Sequence, residues 1–598
     1  MYKRTKVYKF IALALTSIVL VGCGINTTSN EKANSKIENV ATQNKAVTNL
    51  SQVDMSKWQY NADDNVYYQI GIQYCENPVD LEYQTLSIFV PGDYMSAKDN
   101  KDGTFTCEIN KDAVVGKYNA QTAPMVIPVD TPGYSASKAL TEYKDVTQYT
   151  DAGFVYVHAG CRGRDQGAPT GVTDLKAAIR YIRYNNGVIA GNMDRIFSFG
   201  MSGGGAQSVL LGATGDSEMY DSYLEAIGAV QGVSDAVAGS MAWCPITSLE
   251  SADAAYEWFM GTTRKDLSSE EQKLSDDLTA AYAEYINEAG IKDENGNILK
   301  LEQSEDGRYQ AGSYYEYVKS VVEDSINNFL ADTTFPYDSD AASKSGGRGG
   351  QGGPGAPRGN EGPDGQGGPK GNKEGMPAIE DLDNINRMEA SGAVSISGTY
   401  ETVQDYIDAL NESFTWVTYD EKTNTASITS FSDFAKAVKP SSKGLGAFDQ
   451  LDEGQGENTL FGYNDGKGAH FDSMMAEILK GTEYEAAYNE DLTTKDSEGN
   501  DVQYRLNMYS PLYFLMESNA GYKTSNVAKY WRIRTGAWQS DTSLTTEINL
   551  ALALENYDGI KDVDFETVWG QKHTEAERTG DSTDNFINWV NECLNSES

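Results

Sequence analysis

A chain of 598 residues with 39% hydrophobic content can bury one large core or several ordinary ones, because single cores stop growing at about 250–300 residues. Its formal charge of −40, from 88 acidic against 48 basic side chains, excludes nucleic acid as a partner. Phosphate backbones are held by clustered Lys and Arg, and no basic block follows the N-terminal segment.

Residues 1–23 read as a secretory signal. Lys3, Arg4, Lys6 and Lys9 precede an apolar run from Phe10 to Val21 that is too short to span a bilayer. The run closes on Leu20-Val21-Gly22-Cys23, which resembles a bacterial lipobox, so Cys23 is the expected lipid attachment site. The mature protein is accordingly expected outside the cytoplasm, held to the cell membrane by that lipid. Residues 24–51 are Asn, Thr, Ser, Lys and Ala with few aromatics, a composition suited to a flexible tether. Cys75, Cys107, Cys161, Cys244 and Cys593 form no C-x-x-C and have no histidine at ligand spacing, so no metal site is expected. In an oxidising space one bridge, such as Cys75 to Cys107, is open to them.

Strand-like runs rich in Val, Ile, Phe and Tyr fall at 86–90, 124–129, 153–160, 195–200, 235–246, 528–534 and 563–569. Helical patterns sit between several of them. In TDLKAAIRYIRYNNG, Thr173 is a candidate N-cap, Leu175, Ala178, Ile179 and Ile182 share one face, and Gly187 is a stop. After Asp541, Leu544, Ile548, Ala551 and Leu552 again fall on one face. This alternation predicts an α/β fold, a mostly parallel sheet covered by helices. The expected core comprises residues 52–247 and 501–598, interrupted by an insertion over 248–500. Within the insertion, residues 338–376 are a Gly/Pro tract expected to be disordered.

At 200–204 the sequence reads Gly-Met-Ser-Gly-Gly, after the strand RIFSF and before the helix-compatible GGAQSVLLGA. G-x-S-x-G is common by chance in a chain with 58 glycines, so only its context separates a nucleophile from an idle serine in a glycine-rich loop. Strand, tight turn and helix are the context a nucleophilic Ser202 requires, since the turn lifts the hydroxyl off the sheet and tolerates only small neighbours. Of three histidines, His573 follows the strand VDFETVW and precedes a C-terminal helical stretch, where the base of a Ser-Asp-His order belongs. Asp541 follows the preceding strand and is the candidate acid. His158 ends a strand and reads as a packing residue, and His470 has no evident partner. The oxyanion hole is expected from the backbone N–H groups of Gly203 and of Cys161, in the HAGCRGRDQG loop. Arg162 and Arg164 suit a carboxylate, with an ion pair to Asp174 the simpler use.

These blocks, together with GIQYCENP, AGCRGR, WCPITSLESADAAYEW, KGLGAFDQLDEGQGENTLFG, VAKYWRIRTG and WGQKHT, resemble the bacterial tannases, α/β-hydrolases that cleave galloyl esters. The resemblance implies an α/β-hydrolase fold in which 248–500 forms a lid, with Ser202 as nucleophile and His573 as base. It also implies that Lys443, Glu457 and Asp541 hold the three adjacent hydroxyls of a galloyl ring. Carboxylates accept from phenolic O–H and an ammonium donates to a phenol oxygen, so the residue types suit the task. One position departs: the turn of the family carries two aspartates, and the first is Gln539 here. Either Asp541 takes over the orientation of His573, or the acid lies elsewhere, or the triad is weakened. The cysteines that fungal tannases place beside serine and histidine are replaced by Met201 and Lys572.

The expected activity is therefore acyl-enzyme hydrolysis of an aromatic ester, with no cofactor. The rivals are a feruloyl-type esterase or serine peptidase of the same fold, and a non-catalytic cell-surface binding lipoprotein.

Overall fold

Nine strands pair into one sheet in the computed structural model, which describes residues 46–339 and 396–596. In chain order they are β1 (Gln59–Asn61), β2 (Val66–Gln73), β3 (Thr85–Pro91), β4 (Met125–Val129), β5 (Val155–Ala159), β6 (Ile196–Met201), β7 (Gly239–Trp243), β8 (Tyr530–Gly536) and β9 (Asp562–Val568). Side by side they run β1-β2-β3-β5-β4-β6-β7-β8-β9. The pairings from β1 to β5 are antiparallel. Those from β5 to β9 are parallel.

All seven strand-like runs enter this sheet. Strands β6, β7 and β8 are near-continuous buried runs, as expected where helices cover both faces of parallel strands. The antiparallel edge was not foreseen. Strand β2 carries Gln69, Gly71 and Gln73, and its register with β3 shifts between Gln69 and Ile72, so its hydrophobic period is broken.

Helix α1 (Thr170–Tyr184) starts three residues before the expected cap. Pro169 is its N-cap, and the Thr173 hydroxyl donates back to the Pro169 carbonyl at 3.0 Å inside the first turn. It ends at Asn185 rather than Gly187. Its buried face also carries Lys176 and Arg180, both 2.7 Å from Asp235, which join the helix to the loop before β7. The Arg162–Asp174 ion pair forms at 2.8 Å, as expected. Two further covering helices are α2 (Gly203–Ala213), after β6, and α5 (Thr545–Glu555), between β8 and β9; Leu544, Ile548 and Leu552 are buried.

The insertion is packed on the core rather than hung from it, since residues 45–598 make one compact unit. Trp416 of the insertion stacks on Trp569 with ring centres 6.0 Å apart, and Tyr314 donates to Asn549 of α5 at 2.7 Å. The insertion includes helices α3 (Ala252–Met260) and α4 (Gly456–Phe461). Tyr337–Asp338 pairs antiparallel with Thr399–Tyr400, so Asp338, expected in the Gly/Pro tract, is a strand residue. Residues 340–376 of that tract lie outside the described residues, as do the signal, Cys23 and the tether to residue 45. The rest of the expected tether is packed: Val47 donates to Gln231 at 2.9 Å, and Thr48 and Asn49 bind Glu76. All five described cysteines are buried and unbridged. Cys75 instead bridges through its backbone to Ala229, and Cys107 sits in a hairpin opposite Ala97. Among the described residues no helix is long and apolar enough to cross a membrane.

Candidate active site

Ser202 sits between β6 and α2 at φ +59°, ψ −123°, a backbone conformation that side-chain-bearing residues rarely adopt. Such strain costs about 1–3 kcal/mol and persists only where the surroundings enforce it. Two neighbours do so here. The Ser202 N–H donates to Trp243 O at 2.9 Å, tying the turn to the end of β7. A Cβ on Gly204 would lie 2.1 Å from Val129 O, so only glycine lets the first turn of α2 pass β4 so closely. The serine is thereby fixed at the carboxyl edge of the sheet, at the helix end whose free N–H groups favour negative charge.

His573 arrives from the loop after β9. Its Nε2 lies 2.8 Å from Ser202 Oγ, hydrogen-bond distance for transfer of the hydroxyl proton. The loops after β8 and β9 are pinned together, Ala537 N–H to Val568 O and Trp538 N–H to Gln571 O, each at 2.9 Å. Burial pushes the imidazole below its ordinary value of 6.5; Asp541 opposes that shift, and the Lys443 and Lys439 charges reinforce it. The ring is therefore neutral near pH 7, the form a general base requires.

Asp541 Oδ2 lies 3.8 Å from His573 Nδ1, the one carboxylate within ion-pair distance of that ring among the described residues. Nδ1 itself is buried and makes no hydrogen bond there. Gln539 does not fill the gap. Its amide nitrogen donates to Thr542 Oγ1, Thr535 Oγ1 and Glu547 Oε1, and its oxygen accepts from Thr542 N–H. The amide thus braces the turn and makes no hydrogen bond to the histidine.

Cys161 is misplaced as an oxyanion donor. Its N–H is committed to Ser137 O at 2.9 Å. The backbone that reaches the elbow is the turn after β4: a Cβ on Gly203 would lie 2.6 Å from Thr131 O, 2.5 Å from Tyr134 N and 3.0 Å from Gly133 N. That turn, Thr131-Pro132-Gly133-Tyr134, had a sequence signal, a Pro-Gly pair directly after a strand. The glycines of the later HAGCRG loop were the more conspicuous and belong to packing: a Cβ on Gly163 would lie 2.1 Å from Ala136 N.

The two remaining candidates, both in the insertion, are held by different contacts. Lys443 lies in a loop held by Tyr256, whose hydroxyl accepts the N–H groups of Ser442 and Lys443, and by Arg264, which donates to the carbonyls of Lys443 and Gly444. Its ammonium rests 4.0 Å from the centre of the Phe448 ring and is close enough to His573 to depress its pKa. Glu457, in the first turn of α4, is buried, and its charge helps to raise the pKa of the Tyr134 phenol in the 131–134 turn, burial being the larger cause. Arg164 donates to Gly133 O at 2.7 Å beside Gly456, linking that turn to the lid helix.

The fold has solved counterparts. A tannase from Fusobacterium nucleatum superposes with TM-score 0.62 at 25% identity, over 88% of this chain and 95% of that one. The tannin acyl hydrolase of Lactobacillus plantarum does so with TM-score 0.63 at 25% identity, over 91% and 98%. A tannin acyl hydrolase in complex with ethyl gallate matches with TM-score 0.60 at 26% identity, over 88% and 94%. The BD-FAE family model matches residues 111–289, which include the elbow. No curated protein sequence matches the chain. The chain is a carboxylic ester hydrolase of the α/β-hydrolase fold. It is similar to the bacterial tannases over nearly its whole length.

Three parts of this hydrolase's site carried no sequence signal. The Cys244 thiol sits between the strand end and both catalytic loops, donating to Thr574 O at 3.3 Å and accepting from Gly536 N–H at 3.4 Å. Lys439 is fully buried and donates to the carbonyls of Gln539 and Thr542, holding the acid turn. Its neighbour Glu547, also fully buried, has its carboxyl pushed up to about 7 by burial. His158, expected to pack, is buried in β5, which pushes its imidazole down to about 3.

Proposed function

We propose that this hydrolase cleaves galloyl or closely related hydroxyaromatic esters through a Ser202–His573–Asp541 acyl-enzyme cycle. The 2.8 Å contact between His573 Nε2 and Ser202 Oγ at a strained elbow carries the reading. His573 takes the serine proton as Oγ attacks the ester carbonyl, and the N–H groups of Gly203 and Gly133 receive the oxyanion. The tetrahedral intermediate collapses as His573 returns the proton to the departing alcohol. Water then attacks the acyl carbonyl as His573 takes its proton, and the bond to Ser202 Oγ breaks as His573 returns that proton to the serine, releasing the acid. Asp541 stabilises the imidazolium formed at each step.

The ring specificity is supported by Lys443 and Glu457, one near His573 and one near Tyr134 of the 131–134 turn, and by the solved tannin acyl hydrolases bound to ethyl gallate and to 3,4-dihydroxybenzoate. A site built to bond hydroxyls rejects rings that lack them by far more than a site that only packs them. The N-terminal signal and Cys23 support placement outside the cytoplasm on a lipid anchor.

Gallate and ferulate esters assayed side by side test the specificity. Strong preference for gallate, reduced by Lys443→Ala and Glu457→Ala, is expected; equal turnover of both esters, untouched by these changes, refutes it. An active-serine fluorophosphonate probe tests the mechanism. Labelling lost in Ser202→Ala, with turnover down by roughly 10⁴–10⁶-fold, is expected, whereas folded wild type that resists labelling is a binding protein.

A further inference from the structure

Outside the catalytic pocket, in the lid, Glu453, His470 and Asp491 each direct one ligand atom into a common space, all within 4.8 Å of one another. They come from three separate places: the loop before α4, the segment after it, and the helix Glu485–Thr493. His470 is only 1% exposed and is fixed on two sides. Its ring stacks on Tyr488 at 3.8 Å and 11°, and its Nδ1 lies 2.7 Å from Asp449 Oδ1. Asp449 is itself immobilised, its other oxygen accepting the N–H groups of Phe471 and Asp472 at 2.8 Å. A carboxylate at Nδ1 draws the ring proton there and leaves the Nε2 lone pair pointing outward.

That lone pair has no hydrogen-bond partner among the described residues. It faces the Glu453 carboxylate at 3.6 Å, and the Asp491 carboxylate, which accepts the His470 N–H at 2.8 Å, closes the other side. Three electron-pair donors converging on one point, with a carboxylate behind the imidazole, make a donor set that lacks its acceptor. The geometry points to a site for a divalent transition metal, Zn²⁺ or Mn²⁺ in class, held by His470 Nε2 and the Glu453 and Asp491 carboxylates. The nitrogen ligand selects against Ca²⁺ and Mg²⁺, which take all-oxygen shells. Glu453 and Asp491 are partly exposed, so water completes the shell and the ion enters from solvent.

The ion is structural. It ties three lid segments together four residues before Glu457, and takes no part in the serine chemistry. The alternative acceptor for the lone pair is a proton, which would make His470 an imidazolium in a plain ion-pair cluster.

Calorimetric titration of chelator-treated full-length protein with Zn²⁺, and separately Mn²⁺, distinguishes the two. One site per chain is expected, with melting temperature raised about 2 °C at a hundredfold excess over Kd. Glu453→Gln and Asp491→Asn should each lower affinity at least about tenfold and abolish the thermal shift, while their metal-free melting temperatures stay near wild type. Absence of binding by either metal overturns the proposal. So does binding that is unchanged in both variants, since that is adsorption to a surface of net charge −40.

Discussion

At the scale of single residues the site turns on one distance. Asp541 stands 3.8 Å from His573 Nδ1, about 1 Å beyond a hydrogen bond, while the amide of Gln539 makes no hydrogen bond to the ring. Asp541 is the residue proposed to hold the imidazole in its working tautomer. Asp541→Asn should lower kcat by up to about 10⁴-fold on a small ester, whereas Gln539→Ala should cost well under 100-fold in kcat and appear mainly as lower stability. Steady-state kinetics beside thermal melts separates the two. The charges around the ring make a second expectation. Burial and Lys443 lower the His573 pKa, so the base stays deprotonated into mild acid and the acid limb of kcat/KM should fall below pH 6.5. Removing the Lys443 charge removes a repulsion that disfavours the imidazolium, so Lys443→Met should move that limb upward.

At the scale of elements the elbow depends on backbone contact rather than on side chains. In Gly204→Ala the new methyl would meet Val129 O, so either α2 or β4 must shift. A displacement of about 1 Å at the serine is worth about 100-fold in rate, and overpacking of this kind costs about 1–3 kcal/mol. Both losses should appear together, in esterase assays and in urea unfolding. Strands β4 to β8 were legible in the sequence because they are buried runs rich in Val, Ile, Phe, Tyr and Trp, even where β8 interposes Arg532 and Arg534. Strand β2 was hidden because its glutamines and its bulge erase the alternation that marks a strand. Ser202 and His573 were legible by motif and chain order. The 131–134 turn was legible only as a turn, from its Pro-Gly pair; that it meets Gly203 depends on β4 lying beside β6, a neighbourhood that chain order conceals. Cys244 and Lys439 were beyond reach for the same reason, since their partners lie about 100 to 330 residues away along the chain.

At the scale of the whole molecule, the lid and the core share one packed body, with Trp416 on Trp569 and Tyr314 on Asn549 joining them. The loops proposed to set substrate specificity are braced largely from within the insertion. Lys443 is held through Tyr256 and Arg264, both at or just past α3, and Glu457 through the helix beside the 131–134 turn. The short pairing of Tyr337–Asp338 with Thr399–Tyr400 has a different consequence. The pairing holds the described residues on either side of 340–395 next to each other, so the two ends of that stretch are fixed close together. Replacing residues 340–395 with a four-residue glycine-serine link should leave kcat/KM unchanged and reduce the entropy of closure by about 2 kcal/mol, read as an equal or higher melting temperature. The protein thus offers a ready splice point, where a foreign domain could be seated without disturbing the enzyme beneath it.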